Sequence, residues 1–265
     1  MRKPVNRTPA WVGPVATIGA LAIVVVAFLA YRYMTTPAPP PPATAATTAQ
    51  ILTTITSLPA SEFDQVGMGS ATNMIQKVSG SALLGPAGKP LIFYYGAEFC
   101  PFCAAERWPM IIALSRFGTF SGLKTTTSSS TDVFPNTPTF TFHGATYAST
   151  YVELQTVEVS DRNQKPLETP TSAQEALVVK YNPNGTIPFV DMGNKFVIPR
   201  ATYQPDPITG MTWQDIATAL MNPESPQSAA IIGSANLVTA GICVLTSNQP
   251  STVCTPAIQA IEAKL

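Results

Sequence analysis

The segment PLIFYYGAEFCPFCAAERWP (residues 90–109) places the strongest constraint on the fold. Residues 91–95, LIFYY, are an unbroken apolar run bounded by Pro90 and Gly96, the pattern of a strand buried on both faces. Directly after it, Pro101 suits the first turn of a helix, where its missing N–H is not needed. Apolar residues recur with helical spacing at Phe102, Trp108, Ile111, Ile112, Leu114 and Phe117, which predicts a helix over 101–117 with a kink at Pro109. Two of the chain's four cysteines, Cys100 and Cys103, stand where strand gives way to helix. A C-x-x-C pair there admits three readings: a structural disulfide, half of a metal site, or a redox centre.

Composition narrows the choice. Lys+Arg and Asp+Glu are equal at 15 each in 265 residues, so no global field favours nucleic acid, and none is expected as a partner. Charged residues are only 11% of the chain, well below the ~25% of an average soluble domain. Ser, Thr, Pro and Ala fill the gap, a balance common outside the cell. A single histidine, His143, nearly removes His-rich metal sites and leaves one partner for a Cys-His nucleophile.

The N-terminal region locates the chain. Residues 12–30 carry no charge and would span about 28 Å as a helix. Arg2, Lys3 and Arg7 precede this run, and Trp11, Tyr31 and Tyr33 flank it as interfacial aromatics would. No small-x-small cleavage site closes it, which favours an uncleaved anchor over a signal peptide. The expected organisation is a cytoplasmic stub (1–11), a transmembrane anchor (12–33) and a Pro-rich linker (34–50). A domain over 51–265 would follow outside the cytoplasm. A second uncharged stretch, 228–247, holds Asn236 and several hydroxyls and has no basic flank. It reads as a buried helix.

Within the domain, residues 51–58 predict a lead-in helix, and 123–160 are β-rich, with alternation at Phe140/Phe142 and Val152/Leu154/Thr156. Residues 171–181 predict a helix capped by Thr171 or Ser172, with Glu175 completing the cap. Two short apolar runs around Gly193-Asn194 predict a tight hairpin, and 212–223 a further helix.

This order of strand, C-x-x-C, helix, β-rich insert (about 123–170), helix, Pro-led strand, hairpin, strand and helix resembles the thioredoxin superfamily. CPFCAAERWPMIIALSRFGTFSGL, PNTPTFTFHGATY, IPFVDMGNKF and the late cysteine pair are similar to a membrane-anchored or exported family, domain of unknown function 929. The resemblance implies a thioredoxin-like α/β fold with a β-rich insertion behind one N-terminal transmembrane helix. It also implies a cis-proline leading the strand beside the C-x-x-C. Pro188 and Pro138 are the two that could serve. Pro188 alone is followed by strand, hairpin, strand and helix, so a cis Ile187–Pro188 bond against Cys100 is expected, with the Ile187 backbone contacting substrate.

The dithiol chemistry can be read from the residues. A cysteine at a helix N-terminus meets the positive end of the dipole and unpaired N–H groups, both of which stabilise a thiolate. Cys100 is there and is the candidate nucleophile, while Cys103, one turn later, is the resolver. Glu98 and Glu106 are each either a proton relay to a thiol or a solvated side chain. A purely structural C-x-x-C bond would constrain little chain. Zinc is disfavoured because ten residues separate Cys243 from Cys254, so no metal and no cofactor is expected. A Cys100–His143 hydrolase is weak, since His143 precedes Gly144 in an apparent turn. A Cys243–Cys254 bond would close a 12-residue loop and contribute roughly 3 kcal/mol; it is read as structural, with an electron shuttle as the rival.

Two functions from different classes follow. One is a membrane-anchored thiol:disulfide oxidoreductase whose partners are exported cysteine-containing proteins and a membrane redox partner that resets the site. The other is a thioredoxin-like binding or scaffold module whose cysteines stay oxidised.

Overall fold

The computed structural model describes residues 12–35, 44–72 and 74–265, which fall into two compact units, Met1–Ala38 and Pro39–Leu265. In the first unit, α1 (Val12–Thr35) is a helix whose side chains are exposed over Leu21–Tyr31. It runs two residues beyond the expected anchor end at 33. The expected stub (1–11) and the prolines at the centre of the linker lie outside the described residues.

The second unit starts earlier than the composition implied. Helix α2 (Ala45–Thr56) begins where Thr44 accepts a hydrogen bond from the Thr47 N–H, and it buries Thr48, Ile51 and Ile55 along one stripe. The linker therefore does not reach residue 50, and the lead-in helix does not wait until 51. Alanine is the strongest helix former, and a threonine cap was enough to start the turn. A short α3 (Ala60–Val66) follows Pro59.

The strands and helices that build the domain are β1 (Gln76–Lys77), β2 (Leu91–Gly96), α4 (Pro101–Ser115), β3 (Gly118–Ser121), β4 (Lys124–Thr127), β5 (Pro138–Thr141), β6 (Thr146–Ser149) and β7 (Glu153–Glu158). After these come α5 (Ser172–Tyr181), β8 (Phe189–Met192), β9 (Phe196–Ile198), a 3₁₀ turn (Asp206–Ile208), α6 (Trp213–Ala219), α7 (Pro226–Leu245) and α8 (Pro256–Glu262). The main sheet has the order β1-β9-β8-β2-β7. It is mixed: β2 runs parallel to β7, from Leu91 opposite Glu153 to Gly96 opposite Glu158, and antiparallel to β8. Strands β3 and β6 form one separate ladder and β4 and β5 another. The expected insert 123–170 needs correcting on this point. Strand β7 lies inside those bounds but pairs along the whole of β2, so only β3–β6 stand apart from the main sheet.

Both faces of β2 are covered, as its unbroken apolar run requires. Ile92 and Tyr94 join the large core with α4 and α7, while Phe93 joins Val157, Phe189 and Val197 under Leu177 and Val178 of α5. Thr171 caps α5, and Gln174 rather than Glu175 closes the capping box. The β8–β9 hairpin turns through Gly193 and Asn194, with φ of +67° and +56°. That left-handed pair is the conformation a two-residue hairpin turn demands, and glycine and asparagine reach it at least cost.

Helix α7 is long and apolar enough to cross a membrane, yet most of it is buried in the domain. Asn236 explains why a polar residue is tolerated there: its Nδ2 donates to the Phe63 and Gly67 carbonyls at 2.8 and 2.7 Å. Helix α4 runs unbroken through Pro109. Proline removes the N–H that would have reached the Ala105 carbonyl, and the Tyr203 hydroxyl donates there instead at 2.9 Å.

Candidate active site

Cys100 is the N-cap of α4, with extended backbone at φ −76° and ψ 122°, and Pro101 begins the helix proper. Its Sγ accepts the Cys103 N–H at 3.3 Å, so a thiol occupies the place usually taken by a serine or aspartate oxygen. Cys100 is 5% exposed and Cys103 0%, and neither is in a disulfide. The two thiols differ electrostatically. Hydrogen bonding from Cys103 holds the Cys100 thiol below its ordinary value against the opposing effect of burial, and Arg107 adds to the lowering. Burial pushes the Cys103 thiol well up, and its hydrogen bond to Cys100 pushes the same way.

Facing them is the turn into β8. The Ile187–Pro188 peptide is cis, and the Ile187 carbonyl oxygen accepts from Cys100 Sγ at 3.8 Å. The expectation that the Ile187 backbone is free for substrate is modified at that oxygen, which the thiol already contacts. Pro138 leads β5, where its carbonyl accepts the Trp108 indole N–H at 2.9 Å.

The two candidate carboxylates are both buried, which excludes the solvated alternative. Neither hydrogen-bonds to a cysteine. Glu106 Oε2 accepts the Thr202 N–H and hydroxyl at 2.8 and 2.7 Å, and burial pushes its carboxyl up to about 7. Glu98 donates its own N–H to the Ser160 carbonyl at 2.9 Å, and its charge acts on Glu158.

The charged group beneath the thiols is one that periodicity passed over. Arg107 is fully buried; its Nε and Nη2 bond the Glu158 carboxylate at 2.7 and 2.6 Å, and Nη2 also donates to the Ala97 carbonyl at 2.8 Å. Tyr94 lies beside it, with the guanidinium carbon 5.8 Å from the ring centroid. A side chain at Gly96 would collide with the Tyr94 hydroxyl, so that glycine is required by close approach. One signal was available in the sequence. Arg107 lies four residues after Cys103, on the same helical face, in a stretch otherwise too apolar to leave an arginine solvated.

The separate ladders roof one side. The Ser129 N–H donates to the Phe99 carbonyl at 2.8 Å, and Phe134 meets Phe102 edge-on with centroids 5.9 Å apart. On the other side of Phe102 lies a groove of about 690 Å³ lined by Ile187, Tyr181, Asn182, Arg200 and Gln204 among others. His143 is engaged elsewhere, its Nδ1 2.6 Å from Glu168 Oε1, and among the described residues no cluster could hold a metal ion. Cys243 and Cys254 are bonded, with Cα atoms 5.7 Å apart, and join the end of α7 to the segment that leads into α8.

Fold and site together define a mixed-sheet α/β protein with a buried, unbonded dithiol at a helix N-terminus. Residues 74–244 match the family described as Domain of unknown function (DUF929), and the chain belongs to that family. No curated protein and no solved structure matches it significantly.

Proposed function

We propose that this protein is a membrane-anchored thiol:disulfide oxidoreductase of thioredoxin-like fold that exchanges disulfides with exported proteins. The observation that carries the proposal is the Cys100 thiol at the N-cap of α4, lowered by its neighbours and set against the Ile187 carbonyl at the turn into β8. The thioredoxin-like reading is supported by the sheet segment β9-β8-β2-β7, in which β8 alone opposes its neighbours and the dithiol follows the central strand β2. The membrane reading rests on the uncharged run 12–30 with basic residues before it.

The exchange balances without a cofactor. The Cys100 thiolate attacks one sulfur of a client disulfide, forming a Cys100–client bond while the other client sulfur leaves and takes up a proton. The Cys103 thiolate then attacks the Cys100 sulfur. The protein disulfide forms, the second client sulfur leaves and is protonated, and two electrons have passed from protein to client. Read backwards, the same steps oxidise a client dithiol. The groove beside Phe102 and Ile187 supplies a seat for the client chain.

Insulin reduction driven by a small dithiol tests this directly. The wild-type protein should accelerate precipitation of the insulin B chain, and Cys100→Ser should not. A folded wild-type protein without turnover would leave the binding-module reading in its place.

A further inference from the structure

We propose that Arg107 is a positioning residue for the resolving step, a fixed buried cation that stabilises Cys103 as the thiolate it must become. This rests on the oxidoreductase reading. Cys103 has to lose its proton inside the protein, at 0% exposure, before it can attack the Cys100 mixed disulfide. An unpaired thiolate in that setting is strongly disfavoured, and burial accordingly drives this thiol upward. Something must offset the cost.

The groups around Cys103 limit the choice. Cys100 caps α4 and Arg107 lies within it, Tyr94 comes from β2 and Glu158 from β7, with Glu98 acting on Glu158. The Ala97 backbone also hydrogen-bonds the Cys103 sulfur and lowers that thiol, without carrying charge. Tyr94 is held neutral by burial, and its hydroxyl has no hydrogen-bond partner among the described residues. Arg107 is the single cation in the set, and its field lowers both thiols.

Its placement is rigid. Nη2 donates to the Ala97 carbonyl, the same oxygen that accepts the Cys100 N–H at 3.4 Å, so the guanidinium is tied to the turn carrying the nucleophile. The Glu158 carboxylate grips two of its nitrogens, and Glu158 is fixed by pairing opposite Gly96 at the end of β2. The third nitrogen, Nη1, is buried without a hydrogen-bond partner among the described residues. A structural ion pair needs only the two gripped nitrogens. A buried guanidinium with an unused donor, one helical turn from a thiol that must ionise, is arranged to meet a charge that appears only during the reaction.

Reduced protein mixed with 5,5′-dithiobis(2-nitrobenzoate) resolves the two steps. Attack by Cys100 releases one thionitrobenzoate, and attack by Cys103 on the resulting mixed disulfide releases a second. In Arg107→Met/Glu158→Gln, which replaces the ion pair by neutral groups of similar size, the first release should slow by less than the second, since Arg107 is a lesser contributor than hydrogen bonding at Cys100. The second should slow on the order of tenfold at neutral pH, with its pH midpoint about one unit higher. Arg107→Lys should restore most of that midpoint. Glu158→Gln alone, which leaves the cation unopposed, should lower it. The Lys and Gln variants carry the test should the double variant not fold. A second release whose midpoint is unmoved in folded variants overturns the role of Arg107 alone. A single release by the wild-type protein overturns the oxidoreductase reading and this inference with it.

Discussion

The Cys100 sulfur lies 3.8 Å from the Ile187 carbonyl oxygen across 87 residues of sequence. The antiparallel pairing of β2 with β8 creates this contact. Tyr95 sits opposite Phe189, so the strand end that leads to Cys100 and the turn that starts β8 meet at one end of the sheet's central strands. Any group approaching Cys100 therefore passes a backbone fixed by the sheet, and the thiol is only 5% exposed.

Under the proposed exchange, the asymmetry between the thiols predicts their roles. Cys100 is lowered by its hydrogen bonds with Cys103, whereas Cys103 is raised by burial. Mild alkylation of the reduced protein should label Cys100 first. Cys103→Ala should accumulate mixed disulfides with clients, since nothing remains to release them, and Cys100→Ala should not. Trapping by the Cys100 variant would reverse the assignment.

Local sequence carried much of the site, and long-range pairing carried what it could not. The apolar run LIFYY, the proline after Cys100 and the Gly193-Asn194 turn each report a local conformational preference, and each appears in the structure as strand, helix start and hairpin. Arg107 and Glu158 are 51 residues apart, and no local rule joins an arginine in an apolar helix to a glutamate at a strand end. Strand β7 shows the same limit. Its alternation reads correctly as β, but which sheet it enters depends on partners outside the segment, so sequence alone groups it with the insert. The Ala-Thr stretch before residue 51 resembles linker because its few large apolar residues give no stripe to follow.

Glu106 should make stability depend on pH. An unfolded glutamate titrates near 4.5 and the folded one near 7. Between those values the folded protein holds a proton that the unfolded chain has released, so stability falls as pH rises through the window. Above it the full cost applies, roughly 3 kcal/mol. Asp191, pushed up to about 6 by burial, adds a slope of the same sign at lower pH. Glu106→Gln keeps an oxygen for Thr202 and should flatten the Tm profile, with a Tm above wild type beyond neutral pH. Parallel profiles would assign the titration elsewhere.

The Cys243–Cys254 bond closes a short loop at a sequence separation of 11, which in the chain-entropy model contributes roughly 3 kcal/mol. Its removal in Cys243→Ser/Cys254→Ser should lower the melting temperature and leave most insulin reduction intact. Lost turnover at unchanged melting temperature would mean that the pair passes electrons.

Basic residues lie before the uncharged run 12–30, and the Pro-rich stretch follows it, so the proposed anchor predicts a domain outside the cytoplasm. Protease added to spheroplasts should degrade the domain and spare an N-terminal fragment. Protection in intact spheroplasts, with cleavage after lysis, would invert this topology.

Client choice should depend on Arg200. It is exposed, lines the groove that also holds Phe102 and Ile187, and makes no ion pair among the described residues. None of the residues lining that groove is acidic, so its one charge is positive. A client segment with an aspartate near its cysteine would gain Coulomb attraction on approach, and one with a lysine would lose by a similar amount. Because the site is open to water, the effect is modest and screened within about 10 Å at ordinary salt. Two peptide disulfides that differ only in Asp or Lys beside the cysteine should therefore separate about three- to fivefold in kcat/KM at low salt. Arg200→Glu should invert the order, and salt on the order of 0.5 M should erase it for both proteins. A preference for the acidic peptide that survives Arg200→Glu would place client selection outside this groove.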